Sequence, residues 1–381
     1  MKATILLAII FFLQSVSFTA CTQSVPDNIF DAVSDPTFKA YCQQFDINND
    51  GKLSHDEAAA VTSINIDLQG VLSLKGIEYF TELETLSCAS NRLTQLDVSK
   101  NTALTYINCG HNQLTTLDIS SNTALVNIQC GMNKLTHLDV SNNVHLFDID
   151  CFGNQLTQLD VSHNKGLVYL KCNTNLLTQL DIRNNVALTD LDCYGNRLTH
   201  LDISKNTAMK YLYCDINELT HLDVSNNVAL IILRCTANKF TSIDVSKNKN
   251  LVVLNCYDNK LTHLDVSNNP LLKELGCWQN QLTQLDVSNN SMLTTLDCGR
   301  NRFINLDISK CPALTYFSCY INQLVQLDVS GCTLLDYLDC TGNENPITIS
   351  VWKSFDIASP QNSIQEIRYT PTSTFFRAKE S

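Results

Sequence analysis

The sequence has few prolines and glycines, the residues that mark linkers, and its acidic residues outnumber its basic ones. It contains 7 prolines and 12 glycines among 381 residues, and no stretch is rich in either. This absence argues against domains joined by a flexible linker and favours one elongated body. Lysine and arginine number 26 against 38 aspartates and glutamates, which gives a formal net charge of −12. Because an anionic chain does not attract nucleic acid or an anionic membrane surface, we expect neither as a partner.

The sequence also lacks the motifs of common catalytic and zinc sites. It contains no Cys-x-x-Cys pair, no His-Glu-x-x-His, no glycine-rich phosphate loop and no nucleophile elbow. Four of its eight histidines recur at one repeated position, where His200 and His221 would be neighbours able to hold a metal weakly. We predict that the protein is not an enzyme.

One 21-residue pattern occurs thirteen times in succession from Leu83 to Phe355. Leu188 to Ala208, LTDLDCYGNRLTHLDISKNTA, is a typical copy. With Leu83 as position 1, apolar residues recur at positions 1, 4, 6, 11, 14 and 16. Such self-similarity predicts a solenoid in which stacked coils bury one continuous core.

Each repeat is expected to contain one short strand at positions 3 to 7. Asp190, Leu191, Asp192, Cys193 and Tyr194 alternate as a strand with one buried face does. Right-handed coils would place these strands side by side in a parallel sheet. The return segment is too short for a full helix and should be extended or a 3₁₀ turn. The predicted fold class is a mostly β, α/β repeat solenoid, with one parallel sheet over residues 83–343.

The pattern Leu-x-x-Leu-x-Cys-x-x-Asn-x-Leu resembles the leucine-rich repeat, and the resemblance covers most of the chain. Its short, cysteine-bearing form is similar to that of the internalin-like surface proteins of bacteria. The resemblance implies a right-handed leucine-rich-repeat coil, and at the level of fold analogy it implies adhesion or recognition of a host protein.

Two polar columns inside the pattern are expected to be structural. The asparagines at position 9, from Asn91 to Asn343, can bond backbone groups of the next coil that nothing else satisfies. The aspartates at position 15, from Asp97 to Asp328, are stacked like charges, so they should be solvated and capped by local donors. Calcium along this second column remains the less favoured alternative.

The cysteines are read as buried thiols. Thirteen of the 17 occupy position 6, where side chains from adjacent parallel strands point the same way, a poor geometry for disulfides. Cys311 and Cys332 take over position 19 from a column of asparagines. A disulfide between them in adjacent coils stays open.

The N-terminal segment has the layout of an export signal. The apolar run from Ile5 to Leu13 is too short to span a membrane permanently, and small residues precede Cys21 as in a lipobox, although Phe18 stands where Leu is usual. We expect a lipoprotein signal peptide over 1–20, cleavage before Cys21, lipidation of Cys21 and a tether over 21–34. The protein would then be an outer-membrane lipoprotein on the bacterial cell surface, held by its lipid alone; simple secretion is the alternative.

Residues 35–82 are expected to cap the start of the solenoid. Asp35 should cap a helix that begins at Pro36, and a short exit helix is expected from Glu57 to Val61. The loop between them resembles the EF-hand calcium loop, which implies one structural calcium as the cofactor. Its implied ligands are the side chains of Asp46, Asn48, Asp50 and Glu57, the Lys52 carbonyl and Ser54, directly or through water.

The C-terminal cap is expected over 344–381. Ile347, Ile349 and Val351 alternate as a last short strand, and aromatic residues after it can close the core.

The ligand surface is expected on the outer face of the sheet, at positions 3, 5, 7 and 8. Nine of the 12 tyrosines and one tryptophan fall there, although the repeat does not require them. Tyrosine is also favoured in strands, so the bias alone does not prove a binding role. We expect a monomer that binds a macromolecular, preferably protein, ligand there; the alternatives are a glycan or a passive envelope role. The predicted ligand-binding residues are Tyr106, Asp148, Phe152, Tyr169, Asp190, Asp192, Tyr194, Tyr211, Tyr213, Arg234, Tyr257, Trp278, Tyr316, Tyr320 and Tyr337.

Overall fold

The structure, a computed structural model, describes residues 26–343, 347–358, 360, 364, 366–369 and 374–378. The predicted signal peptide, Cys21 and the first residues of the tether lie outside the described residues. The lipidation of Cys21 therefore stays a prediction. Within the described part of the chain, no helix is both long and apolar enough to cross a membrane.

The repeats form the predicted parallel β-solenoid of about 14 turns. One sheet of fifteen strands runs its whole length, in the order β1 to β13, then β15 and β17. These strands are β1 (Ser63–Asn65), β2 (Thr85–Ser87), β3 (Tyr106–Asn108), β4 (Asn127–Gln129), β5 (Asp148–Asp150), β6 (Tyr169–Lys171), β7 (Asp190–Asp192), β8 (Tyr211–Tyr213), β9 (Ile232–Arg234), β10 (Val253–Asn255), β11 (Glu274–Gly276), β12 (Thr295–Asp297), β13 (Tyr316–Ser318), β15 (Tyr337–Asp339) and β17 (Glu366–Arg368).

The register of this sheet follows the sequence repeat. Each strand from β2 to β13 pairs with the residues 21 places further on, as Tyr106 does with Asn127. The central residue of each strand is apolar and buried, and position 6 is buried beside it, as Leu191 and Cys193 are. The first coil starts earlier than the repeat pattern, because Ser63 in β1 already pairs with Thr85.

A second, smaller sheet lies at the C-terminal end. It is parallel and has the order β14 (Gln326–Asp328), β16 (Ile347–Val351), β18 (Thr374–Ala378). The expected strand at Ile347, Ile349 and Val351 is confirmed, and all three side chains are buried. It pairs with β14, however, and the large sheet continues through β17. The repeat pattern did not indicate this second sheet.

The N-terminal cap combines two short helices with three 3₁₀ turns. It starts before residue 35, because Ile29–Asp31 lies in the predicted tether but is a 3₁₀ turn with Ile29 and Phe30 buried. The helices are α1 (Pro36–Cys42) and α2 (His55–Ala59), and the turns are Ile29–Asp31, Gln43–Phe45 and Ile77–Tyr79. As predicted, Asp35 caps α1, with its Oδ1 accepting from the N–H groups of Thr37 and Phe38. The exit helix was misplaced by two residues, because Ser54 and Glu57 form a capping box that starts α2 at His55.

The asparagine column at position 9 is structural, as predicted. Asn196 is typical: its Oδ1 accepts from the N–H of Leu177, while its Nδ2 donates to the carbonyls of Cys172 and Cys193. Each such residue thus ties its own coil to the coil before it. These side-chain bonds satisfy backbone groups that an irregular turn would otherwise leave without a partner.

The thirteen cysteines at position 6 are buried, and every described cysteine is a free thiol. Burial raises their pKa values, for example to about 12 for Cys151, so they stay protonated and act as small apolar groups. Cys311 and Cys332 are free thiols as well. Cys332 Sγ donates to the carbonyl of Cys311 at 3.6 Å, the kind of bond that the asparagines make elsewhere at position 19.

Candidate functional site

All the predicted ligand-binding side chains lie on one face of the fifteen-stranded sheet. We call this surface, formed by positions 3, 5, 7 and 8 of the repeats, the sheet face. Ten of the fifteen lie within strands β3 to β15, and the other five come two residues after the end of their strands, at position 7. The unbroken register is what aligns them, because side chains two residues apart on a strand share a face.

One row of this face alternates in charge. The register places Asp150 beside Lys171, Lys171 beside Asp192, and Tyr213 between Asp192 and Arg234. Lys171 Nζ lies 3.7 Å from Asp150 Oδ2, and the Arg234 guanidinium lies 5.8 Å from the centre of the Tyr213 ring. The row offers a partner charges of both signs at strand spacing, about 4.8 Å.

The acids around Lys171 are partly buried. Burial raises the pKa values of Asp148, Asp150 and Asp192. The charge of Lys171 lowers all three in part, and a backbone N–H group also lowers those of Asp150 and Asp192. The acidic neighbours of Asp148 raise its pKa further. These three carboxylates therefore lose their charge at a higher pH than exposed aspartates do.

Two pairs of aromatic rings stack across neighbouring strands. Tyr257 and Trp278 have ring centres 4.6 Å apart and planes 16° apart; Tyr316 and Tyr337 have centres 4.4 Å apart and planes 2° apart. Arg368 from β17 lies 5.6 Å from the centre of the Tyr337 ring. One face of each ring is thus covered by its stacking partner.

Two other rings rest on glycines of the preceding strand segment. A β-carbon built on Gly299 would overlap the Tyr320 ring, and one built on Gly131 would overlap the Phe152 ring. The small residue at position 7 of one repeat thereby lets the aromatic residue at position 7 of the next lie over the sheet. This packing fixes the rings before any ligand arrives.

Four of the predicted tyrosines lie on or just after strands β6 to β8. Within the described part of the chain, Tyr169, Tyr194, Tyr211 and Tyr213 make no ring–ring contact with one another. Tyr169 packs instead against Phe147, with ring centres 5.3 Å apart. Phe147 stands at position 2, outside the alternation that was used to find the face, so the pattern gave no signal for it.

Two arginines of the face were also missed. Arg300 lies 5.9 Å from the centre of the Tyr320 ring and comes from position 8, and Arg368 comes from β17 beyond the repeats. Position 8 adopts the left-handed conformation in every repeat, even where the residue is Ile216 or Ile321. Such residues give no sequence signal of this conformation, because glycine or asparagine is the usual choice.

The calcium-loop residues curl around their own backbone. Asp46 accepts from the N–H groups of Asp50 and Gly51, and Glu57 Oε1 accepts from the N–H of Ile47 at 3.0 Å. Hydrogen bonds from Ser54 to Glu57 lower the pKa of Glu57. Gly51, at φ 80°, makes the expected sharp turn.

These oxygens suit a hard cation in their chemistry. In the present arrangement, however, no three His, Cys, Asp or Glu side chains of the described residues gather as a metal group. Ser54 is engaged with Glu57, and its hydroxyl caps α2. The histidines at position 13 form no such group either.

The opposite side of the solenoid carries an open trough of about 950 Å³. Its walls come from the aspartate column, together with His137, Arg183 and His200. Each column aspartate accepts from the backbone N–H two residues further on, at 2.9–3.1 Å, which is the predicted local cap. The aspartates that line the trough are therefore already engaged in capping their own turns, and they are part of the repeat pattern.

Solved structures similar to this one are themselves leucine-rich-repeat proteins. The functional domain of InlJ from Listeria monocytogenes, which includes a cysteine ladder, is 36% identical with a TM-score of 0.78; the match covers 89% of this chain and 78% of that one. The internalin InlF from Listeria monocytogenes is 20% identical, with a TM-score of 0.75 and coverage of 92% and 99%. The leucine-rich effector YopM from Yersinia pestis is 20% identical, with a TM-score of 0.61 and coverage of 86% and 90%. The sequence matches no family model and no curated protein.

Proposed function

The chain belongs to the internalin family of leucine-rich-repeat proteins, and from that premise we propose that it binds a protein ligand along the sheet face. The observation that carries the proposal is the register, which gathers nine tyrosines, Trp278 and a row of alternating charges on one surface. Tyrosine, tryptophan and arginine are the residues that contribute most binding energy in protein interfaces. Adhesion to a host protein is the role we propose for this binding.

The ring geometry supports a protein over a glycan. A sugar ring stacks on an exposed aromatic face, but Tyr257 and Trp278 cover one face of each other, as Tyr316 and Tyr337 do. Ring edges, tyrosine hydroxyls and paired arginines suit polypeptide side chains and backbone instead. The role is binding and not catalysis, because short repeated strands offer a broad surface rather than an enclosed pocket.

Replacing Tyr169, Tyr194, Tyr211 and Tyr213 together by serine should abolish binding to the protein ligand. The ligand would be found by exposing the purified chain to parallel arrays of extracellular proteins and of glycans. A tyrosine that anchors an interface contributes about 2 kcal/mol or more to binding, so the loss of four should lower the affinity more than a hundredfold.

Binding should also weaken on mild acidification, because the raised pKa values of Asp148, Asp150 and Asp192 make these acids lose their charge at a higher pH than ordinary aspartates do.

The matched control changes the trough on the opposite side. A variant with His137, Gln158, Gln179 and His200 replaced by serine removes the same number of side chains, all of them exposed, and should bind like wild type. If the tyrosine variant keeps its ligand, or if only the trough variant loses it, the sheet face is not the binding surface. A ligand found only on the glycan array would replace the protein proposal by the glycan alternative.

We also propose that the loop from Asp46 to Glu57 holds one structural calcium ion. Asp46, Asn48, Asp50, Glu57 and the Lys52 carbonyl would supply the oxygens. Calcium should raise the melting temperature relative to chelator by several degrees, because an ion that binds only the folded state stabilises it. Glu57→Gln should remove this shift, whereas Asp56→Asn, next to it on α2, should keep it. Equal melting temperatures with calcium and with chelator in wild type would contradict the proposal.

A further inference from the structure

Within the described part of the chain, the large sheet ends in an edge strand, β17, and the backbone groups of its central residue have no partner there. Glu366 donates its N–H to the carbonyl of Asp336 at 2.9 Å, and the Arg368 carbonyl accepts from the N–H of Cys340 at 3.0 Å. Alternate residues of a strand direct their backbone groups to opposite edges, so the N–H and C=O of Ile367 point away from β15. Among the described residues no strand lies on that side.

The charges of β17 would match those of a second β17 strand running in the opposite direction. Glu366 and Arg368 flank Ile367 and are both exposed, whereas the Ile367 side chain is only 9% exposed. At present the two charges pair within the strand, with Arg368 Nη2 lying 2.6 Å from Glu366 Oε1. Read backwards, Glu-Ile-Arg becomes Arg-Ile-Glu, which places each charge opposite its counterion.

We propose that β17 pairs antiparallel with β17 of a second copy of the chain, about a two-fold axis between the two Ile367 residues. The outward N–H and C=O of each Ile367 would exchange two hydrogen bonds, which is the hydrogen-bonded pair of an antiparallel ladder. Glu366 of each copy would then face Arg368 of the other in the adjacent non-hydrogen-bonded pairs, where side chains approach most closely. The one ion pair within each strand would become two ion pairs between the copies.

This pairing goes beyond the proposed binding function and does not depend on its ligand. It would satisfy an edge that otherwise offers unpaired groups to any passing strand. It would also join the two large sheets into one, so that both sheet faces lie on a continuous surface. The sequence led us to expect a monomer, and the edge geometry leads us to replace that expectation by an end-to-end dimer with an isologous interface.

The test is the mass in solution of the full chain and three charge variants, measured by analytical ultracentrifugation over a wide concentration range. Glu366→Arg gives the strand Arg-Ile-Arg, and Arg368→Glu gives Glu-Ile-Glu. Each should repel its own copy and dimerise about tenfold more weakly than wild type, or worse. The double variant Glu366→Arg with Arg368→Glu restores self-complementarity and should dimerise like wild type.

An equimolar mixture of the two single variants provides the decisive comparison, because Arg-Ile-Arg complements Glu-Ile-Glu. The mixture should form a heterodimer at concentrations at which each variant alone is mostly monomeric, which a folding defect could not produce. Every variant carries the same N-terminal segment, so association through that segment would be common to all. A wild type that stays monomeric, single variants that dimerise like wild type, or a mixture that does not pair would each overturn the proposal.

Discussion

Replacing Asn196 by alanine is expected to lower the free energy of unfolding by about 3 to 5 kcal/mol. Its amide meets three buried backbone groups: the N–H of Leu177 at 3.0 Å and the carbonyls of Cys172 at 3.1 Å and Cys193 at 3.0 Å. Alanine leaves the Leu177 N–H unpaired, which costs about 1–3 kcal/mol. It also removes one of the two bonds that each carbonyl accepts, at about 0.5–1.5 kcal/mol apiece, because Asn175 still donates to Cys172 and Asn217 to Cys193. Urea unfolding followed by circular dichroism would measure the loss.

The control for this prediction is Asn184 in the neighbouring coil. It is exposed, and its Nδ2 makes only a 3.4 Å bond to the carbonyl of Ser162. Asn184→Ala should therefore change the unfolding free energy by less than about 0.5 kcal/mol. If the two variants unfold at the same urea concentration, the asparagine column does not hold the coils together.

Replacing Asp35 by alanine is expected to cost about 2 to 4 kcal/mol of stability. The carboxylate, 6% exposed, caps α1 and also accepts from the N–H of Leu72 at 2.8 Å, so it fastens the cap to the first coil. Exposed Asp31 in the same cap is the matched control, and Asp31→Ala should leave the urea midpoint nearly unchanged. An Asp35→Ala midpoint equal to that of the Asp31 variant would refute the role of this carboxylate.

The same residue predicts a dependence on pH. Burial raises the pKa of Asp35, but backbone N–H groups of Leu72, Phe38, Thr37 and Ser73 outweigh burial and hold it below its ordinary value. A carboxyl group whose pKa is lowered in the native state stabilises the fold at pH values above its unfolded-state pKa. This stabilisation is lost as the pH falls through the native pKa. Wild type should therefore lose more stability than Asp35→Asn between about pH 5 and pH 2.

Most of the fold could be predicted because each repeat restates the same local constraints. Alternation about Leu191 and Cys193 sets which side chains are buried, and the period of 21 sets which residue pairs with which. The N-terminal cap could be predicted in kind but not in its bounds. Ser54 signals a helix start as clearly as Asp35 does, yet the calcium-loop pattern predicts a loop that continues through Ser54 to Glu57.

The sequence predicts which residues form the sheet face, but it does not predict how their side chains are arranged. The register fixes that Tyr316 and Tyr337 are neighbours, but side-chain packing decides that they stack and that Arg368 covers one of them. The seating of Tyr320 over Gly299 likewise needs both residues in place. Ring orientation depends on contacts between coils, which no single repeat contains.

The sequence by itself determined the period, the buried columns and the face that carries the tyrosines. These follow from spacing alone, because a strand alternates its side chains and a constant repeat length stacks like residues on like. Only the tertiary structure decided what happens after Asn343, where the repeat length ends and no earlier coil dictates the next partner. There, β16 joins β14 and β17 extends the large sheet, because each strand pairs with the free edge that its connection can reach.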